Sequence, residues 1–166
     1  MPEIVVKPYE PGLDREVVRH HADYYARHWA FDARFEAQVS REFSAFIEGF
    51  DAARDGFWWA SADGAFAGCV AVDGSRSGPG EARLRWFIVP EPFQGAGIGG
   101  RLLESALAFC RRRSFQSVYL WTFTGLDAAR ALYERAGFRL AGEAVGDGWG
   151  PEITEQKFVL PLAPPS

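Results

Sequence analysis

The sequence predicts a single α/β domain, in which a mixed sheet carries helices on both faces. The chain has 166 residues, of which 48% are hydrophobic and 24% charged, and this composition suits one globular domain with its own core. Strand-like and helix-like segments follow one another in the order β-α-α-β-β-β-α-β-α-β-β. No repeat, low-complexity tract or linker divides them, so 1–166 is predicted to be one domain that ends in a flexible tail, 161–166.

The first half of the chain predicts a strand, two helices and a hairpin. Apolar residues at spacings of three and four indicate the second helix, with Asp32 as its cap. A turn at Ala62-Asp63-Gly64 separates the two hairpin strands. The predicted segments are 4–7, 12–28, 32–54, 56–61 and 65–73.

The second half predicts a loop at 74–80 and then alternating strands and helices. Pro90 ends the first of these strands, because proline cannot donate to a sheet ladder. An apolar stripe from Ile98 to Cys110 indicates a helix, and Gly137 stands where a left-handed residue commonly ends one. The predicted segments are 81–89, 98–110, 118–123, 127–136, 138–143 and 153–160.

The charge and the apolar pattern exclude several classes of function. The net charge is −4 and the pI is about 5.4, which argues against a nucleic-acid partner. No apolar run approaches the roughly 20 residues that span a bilayer, and the N-terminus lacks the pattern of a signal peptide. Cys69 and Cys110 lie in apolar segments without metal-ligand spacing. We therefore expect a cytoplasmic protein with no membrane or metal partner.

A glycine-rich turn, Gln94-Gly95-Ala96-Gly97-Ile98-Gly99-Gly100, connects a predicted strand to an amphipathic helix. Glycines allow a ligand to approach the backbone closely. The start of a helix presents unpaired N–H groups and partial positive charge. Together these features predict a site for a phosphate or pyrophosphate.

Three other interpretations of this turn are weaker. The literal GxGxxG pattern is that of a dinucleotide-binding site, but five residues separate it from the strand, and no carboxylate ends the next strand at 120–123. A P-loop requires Gly-Lys-Ser/Thr after the glycines, which is absent. A tight turn without a ligand would not need four glycines.

Two segments resemble the signatures of the GNAT acetyltransferase family. The run 87–103 is similar to its first signature, Arg/Gln-x-x-Gly-x-Gly/Ala, through Gln94, Gly97 and Gly99. The run 126–138 is similar to its second, Asn-x-x-Ala-x-x-Leu-Tyr-x-x-x-Gly-Phe. Leu126 stands where many members have Asn, and the matching residues are Ala129, Leu132, Tyr133, Gly137 and Phe138. Within the family, the chain most resembles the module found fused to MarR-type regulators in bacteria.

The resemblance implies a twisted, mostly antiparallel mixed sheet of six to seven strands and a cosubstrate, acetyl-CoA. It assigns the CoA pyrophosphate to Gln94–Gly100 and the pantetheine arm to Phe87, Ile88 and Val89, with Leu126 and Ala129 nearby. Tyr133 is implied to protonate the departing sulfur, a role that a neutral hydroxyl can perform.

The acceptor side is predicted less closely. Direct transfer needs a proton acceptor, and the candidates are the carboxylates Glu81, Glu143 and Glu155, with Glu81 ranked first and named as catalytic. Aromatic and hydrogen-bonding side chains suit a small ligand. The predicted acceptor-binding residues are His20, Tyr24, Trp29, Trp121 and Trp149.

The sequence therefore predicts a bacterial N-acetyltransferase that acts on a primary amine of a small molecule, an amino acid or a peptide. The alternatives are a non-catalytic module that senses CoA and, less favoured, an NAD(P)-dependent oxidoreductase. A homodimer is possible in this fold.

Overall fold

The computed structural model describes residues 2–75, 78 and 80–162. Within them, seven strands and four α-helices follow in the predicted order. The strands are β1 (Ile4–Pro8), β2 (Gly56–Ala62), β3 (Ala65–Asp73), β4 (Glu81–Ile88), β5 (Ser117–Phe123), β6 (Arg139–Gly146) and β7 (Ile153–Pro161). The helices are α1 (Leu13–Trp29), α2 (Ala33–Glu48), α3 (Ile98–Arg112) and α4 (Asp127–Ala136).

All seven strands form one sheet, in the order β1-β2-β3-β4-β5-β7-β6. Each pair of neighbours is antiparallel except β4 and β5, which run parallel. The prediction of a mixed, mostly antiparallel sheet is confirmed. The alternative of a dinucleotide-binding oxidoreductase is wrong, because that fold requires an open and mostly parallel sheet.

The two faces of the sheet bury separate cores because successive strand residues point to opposite faces. On β3, Val70 and Val72 pack with α3, whereas Cys69 and Ala71 pack with residues of α1 and α2. Helices therefore cover both faces, as predicted. The α3 face carries the glycine-rich turn, and the α1–α2 face closes the opposite side.

The second helix is shorter than predicted, because it ends at Glu48 rather than at residue 54. Gly49 follows it, and the Asp51 side chain then accepts a hydrogen bond from the Ala53 backbone N–H at 3.0 Å. Such local side-chain bonds compete with helical ones. Phe50, which the periodicity places on the apolar helix face, is 39% exposed.

The C-terminal end of β7 includes part of the predicted tail. Pro161 pairs with Ser117, and the Leu162 backbone N–H donates to the Gln116 carbonyl at 2.8 Å. Residues 163–166 of the tail, and 76, 77 and 79 of the predicted loop, lie outside the described residues. None of the helices in the described ranges combines the length and hydropathy that crossing a membrane requires.

Candidate functional site

A cleft opens where β4 and β5 separate. The two strands pair only from Glu81 with Ser117 to Arg83 with Tyr119. Beyond that point they diverge, and a cavity of about 1030 Å³ extends between them. The N-terminus of α3 and one face of α4 line one half of the cavity, which we call the donor half. Residues of α1, α2 and the β6–β7 loop line the other, the acceptor half.

A β-bulge interrupts β4 at the cleft. Cys69 pairs with Ile88 and Ala71 with Arg85, so three steps along β4 match two along β3 and leave Trp86 and Phe87 without ladder partners. Trp86 has a φ of 48°, which is rare for a bulky residue. The Cys69 thiol donates a hydrogen bond to the Trp86 carbonyl at 3.1 Å. Bulges redirect the backbone beside functional sites, and this one presents unpaired strand backbone to the cleft.

The glycine-rich turn forms an open anion site at the start of α3. Gly95 and Gly97 have φ angles of 85° and 78°, a region that glycine enters without strain. A Cβ atom at either residue would meet nothing within 4 Å. Gly97 caps α3 without a side-chain hydrogen bond, and the first turn of the helix contains no acidic residue. The free N–H groups and positive helix end therefore favour a phosphate here.

Two contacts hold the turn in place. The Gln94 side chain donates from Nε2 to the Val89 carbonyl at 2.9 Å, which connects the turn to the end of β4. Glu91, just before it, accepts from His28 Nε2 at 2.8 Å. The C-terminal end of α1 is thereby connected to the segment that leads into the anion site.

Tyr133 lies on the buried face of α4 and lines the cleft. Its ring packs against Phe87, Phe138 and Phe158 with centroid distances of 5.9, 5.8 and 6.4 Å. Burial raises the pKa of its hydroxyl, and the nearby Tyr25 adds to this effect. The phenol is therefore a neutral donor at physiological pH, as a proton donor to a leaving thiolate must be.

Aromatic side chains build the acceptor half. The ring of Trp149 packs on Phe31 and Phe35 at 5.2 Å each, and its Nε1 donates to Gln38 Oε1 at 2.8 Å. The β6–β7 loop is thus anchored to α2. Trp29 packs so closely on the β5–α4 loop that a Cβ atom on Gly125 would lie 2.2 Å from its ring.

Most of the predicted site residues line this one cleft. In the donor half and on the strands they are Phe87, Ile88, Val89, Gln94, Gly95, Gly97, Ile98, Gly99, Gly100, Leu126, Ala129 and Tyr133. In the acceptor half they are Tyr24, Trp29, Trp121 and Trp149. The side chain of Ile98 is 2% exposed and belongs to the core, so only its backbone is available to a ligand.

Three predicted site residues lie elsewhere. Ala96 is exposed in the turn but does not line the cavity. His20 stacks on Phe66 at 4.8 Å and contacts Glu16 on the outer side of α1. Glu81 is exposed at the start of β4, where the strands are still paired. The structure thus places Glu81 outside the cleft, because the strands diverge only after Arg83.

Of the three candidate carboxylates, only Glu155 lines the cleft. It is partly buried on β7, directly opposite Phe123 of β5. Glu143 is exposed on β6 and accepts from Gln156 Nε2 at 3.3 Å. By position in the structure, Glu155 and not Glu81 is the first candidate for the proton acceptor.

The predicted site residues do not include His21, which is 4% exposed and lines the cleft. Its Nδ1 lies 2.7 Å from the Val17 carbonyl, so Nδ1 carries the proton and Nε2 carries a lone pair. Nε2 is buried without a hydrogen-bond partner among the described residues. Burial lowers the pKa of His21 to about 4, although the bond to Val17 opposes this change.

Two arginines on β4 were also missed. Arg85 is buried, bonds to Glu42 at 2.5 Å and Asp73 at 3.3 Å, and stacks on the Trp86 ring at 4.2 Å. Arg83 lines the same half of the cleft. The available signal was the alternation of charged residues, Glu81, Arg83 and Arg85, with apolar ones along β4.

Comparison with known proteins identifies a family for this arrangement. The acetyltransferase (GNAT) family model matches residues 18–138. N-acetylaspartate synthetase of Danio rerio is 36% identical over 87 residues, which are 52% of this chain and 30% of that protein. N-alpha-acetyltransferase RimI of Mycobacterium tuberculosis is 42% identical over 67 residues, 40% of each chain. The chain thus spans less than half the length of these curated relatives.

Solved structures share the fold at low identity. The structure of yncA from Salmonella typhimurium, with its cofactor acetyl-CoA, superposes with a TM-score of 0.72 and is 15% identical. The match covers 96% of this chain and 94% of that one.

Proposed function

The chain belongs to the acetyltransferase (GNAT) family, and from this premise we propose that it transfers acetyl from acetyl-CoA to an amine. The observation that carries the proposal is the cleft between β4 and β5, where Tyr133, the bulge and an open helix N-terminus line one cavity. These are a proton donor, exposed strand backbone and an anion site. An acyltransferase that uses CoA needs all three.

The donor half suits a CoA thioester. The N–H groups at the start of α3 would hold the pyrophosphate, and Gly95 and Gly97 leave room for it. The backbone of β4 beyond Arg83, which no longer pairs with β5, would pair with the amides of the pantetheine arm, as an added strand does. The yncA structure, whose fold is similar, contains acetyl-CoA, and this supports the assignment.

Acetyl-CoA supplies an activated acetyl group, and the chain supplies the proton transfers. The amine nitrogen bonds to the acetyl carbon, the carbon–sulfur bond breaks, and the thiolate takes a proton from the Tyr133 hydroxyl. We assign Glu155 as the group that accepts the proton lost by the amine, directly or through water. Glu155 is the carboxylate of β7, and it lines the cleft.

The acceptor is a primary amine in this proposal. Trp149, Trp29 and Tyr24 line the space where a small acceptor would bind, and the curated relatives include an N-acetylaspartate synthetase and an N-alpha-acetyltransferase. The predicted homodimer and cytoplasmic location remain part of the proposal. Exposed Leu140 and Val145 on the edge strand β6 support the dimer.

Thermal unfolding tests the donor assignment. Acetyl-CoA at a hundred times its Kd should stabilise the protein by about 2.7 kcal/mol, and NADH at the same concentration should not. The absence of a shift with both acetyl-CoA and CoA would reject the proposal. Binding of acetyl-CoA without any transfer to amines would identify a CoA sensor instead.

A further inference from the structure

Two arginines of β4 line the acceptor half, and within the described part of the chain Arg85 is the one that forms ion pairs. Arg85 forms ion pairs with both Glu42 and Asp73. Arg83 precedes it by two residues and so lies on the same face of the strand. Among the residues that the structure describes, none forms an ion pair with Arg83, and its Nε is buried without a hydrogen bond.

Among the described residues, no carboxylate forms an ion pair with the positive charge of Arg83. A guanidinium stays charged in proteins and carries five donors, and a buried charge without a partner is strongly unfavourable. Arg83 is partly buried. Burial, together with the positive charge of Arg85, lowers its pKa, although Tyr119, Glu42 and Asp73, the last directly opposite Arg83 on β3, act in the other direction. Those two carboxylates already bind Arg85. A further anion from a ligand would therefore stabilise the site.

The position of Arg83 places that anion in the acceptor half. Arg83 is the last β4 residue that pairs with β5, opposite Tyr119, so it lies at the base of the cleft. Phe87 lies four residues further on, and the bulge at Trp86 keeps this distance below the roughly 13 Å of a fully extended strand. A long arginine side chain and an acceptor molecule can together span this distance. Glu155 lines the same cavity and pairs with Phe123, four residues along β5 from Tyr119.

We propose that Arg83 binds a carboxylate of the acceptor, so that the acceptor is an amino acid and not a simple amine. This inference rests on the proposed function. A guanidinium and a carboxylate form two parallel hydrogen bonds, which select for the planar anion. A peptide N-terminus offers only a neutral carbonyl at the corresponding place. The spacing between amine and carboxylate sets which amino acids fit.

The test compares amino acids with their carboxamides as acceptors. Amine-dependent thiol release would be measured for α-, β- and γ-amino acids and for the matching amides, with wild type and Arg83→Gln. We expect wild type to favour at least one acid over its amide by about 10- to 100-fold in kcat/KM, since a charged hydrogen bond contributes about 1.5–3 kcal/mol. Arg83→Gln should lose this preference mainly through KM and keep its activity on amides.

Controls make the result specific. Comparing the acid-to-amide ratio between variants cancels the different basicities of the two amines. Arg41→Gln removes an exposed arginine of α2 that does not line the cleft, and it should keep the wild-type ratio. Arg83→Gln should unfold at no lower a temperature than wild type, because it removes an unpaired charge. Arg83→Lys should retain part of the preference.

Two results would overturn the inference: no acid preferred over its amide by wild type, or a preference that Arg83→Gln retains. Either leaves acetyl transfer itself intact. If no amine causes thiol release, the proposed function fails. The role of Arg83 is then decided by calorimetry, in which the same acids and amides are titrated into the protein with and without CoA. Tighter binding of acids that is lost in Arg83→Gln supports it, and equal binding rejects it.

Discussion

The rings of Tyr133 on α4 and Phe87 on β4 lie 5.9 Å apart, so the helix and the bulged strand meet at the cleft. Phe138 and Phe158 pack on the same tyrosine ring from the protein interior. This aromatic packing limits the motion of the phenol. Tyr133 can therefore be a pre-positioned donor, and its hydroxyl can be removed without removing the packing.

Tyr133→Phe should reduce kcat by about 100-fold, the low end of the usual contribution of general acid catalysis. The affinity for CoA should remain within about two-fold, because the ring still fills its place. Steady-state thiol release and calorimetry measure the two quantities. Tyr9→Phe is the matched control, since the Tyr9 hydroxyl bonds to Asp14 outside the cleft. An unchanged kcat in Tyr133→Phe would remove this residue from the mechanism.

Gly97→Trp should abolish CoA binding, because the indole would fill the space in front of the α3 N-terminus. Gly12 provides a matched control: it also caps a helix, has a φ of 98°, and has no neighbour within 4 Å of its Cβ position. Gly12→Trp should cause similar backbone strain, about 1–2 kcal/mol, and leave CoA binding intact. Equal affinities of the two variants, measured by calorimetry, would show that the turn is not the pyrophosphate site.

Glu155→Gln should lower kcat/KM by about 100-fold and alter the pH–rate profile, because the amine loses its proton acceptor. Glu81→Gln is the natural comparison, since Glu81 is exposed where β4 and β5 are still paired. It should behave as wild type. A profile that changes with Glu81→Gln and not with Glu155→Gln would restore the sequence-based ranking and contradict the geometric one.

His21 should make the protein sensitive to acid. The unfolded chain binds a proton at His21 near pH 6.5, but the folded protein binds it only near the lowered pKa of about 4. The unfolded state thus holds more protons between these values, and stability falls as the pH falls through this window. The loss due to His21 should be about 3 kcal/mol.

Denaturant unfolding of wild type and His21→Gln at pH 7 and pH 4 measures this loss. Between pH 7 and pH 4, the free energy of unfolding of the variant should fall by about 3 kcal/mol less than that of wild type. His20→Gln changes the adjacent imidazole, which lies outside the cavity. Its positive charge contributes less than burial to the lowered pKa of His21, so this variant should keep most of the wild-type acid sensitivity. The same acid loss in His21→Gln as in wild type would show that His21 is not held neutral.

The fold followed from the sequence to a large extent because its signals are local. Turn residues at Ala62-Asp63-Gly64 separate β2 from β3, and α4 spans the predicted 127–136. The error at the end of α2 arose because apolar periodicity continued past Gly49, whereas side-chain bonds of Asp51 ended the helix. Apolar periodicity does not show where a side-chain hydrogen bond replaces the backbone bonds of a helix.

The acceptor half of the site was much less predictable, because it depends on which strands diverge. Nothing local in the sequence indicates that β4 and β5 separate after Arg83, or that Trp86 takes a left-handed conformation. The sequence ranks Glu81 above Glu155 because Glu81 lies on the same predicted strand, 81–89, as the residues assigned to the pantetheine arm. The ion pairs of Arg85 with Glu42 and Asp73 join three different elements, so the sequence of β4 alone does not predict them.

Acetyl transfer is tested most directly by the ratio of released CoA thiol to N-acetylated product. Purified protein is incubated with acetyl-CoA and a panel of amines, and free CoA thiol and N-acetylated product are quantified together, with Tyr133→Phe in parallel. We expect one thiol to be released for each amine acetylated, only when an amine is present, and at a strongly reduced rate in Tyr133→Phe. Tight binding of acetyl-CoA with no acetylated product from any amine would contradict it.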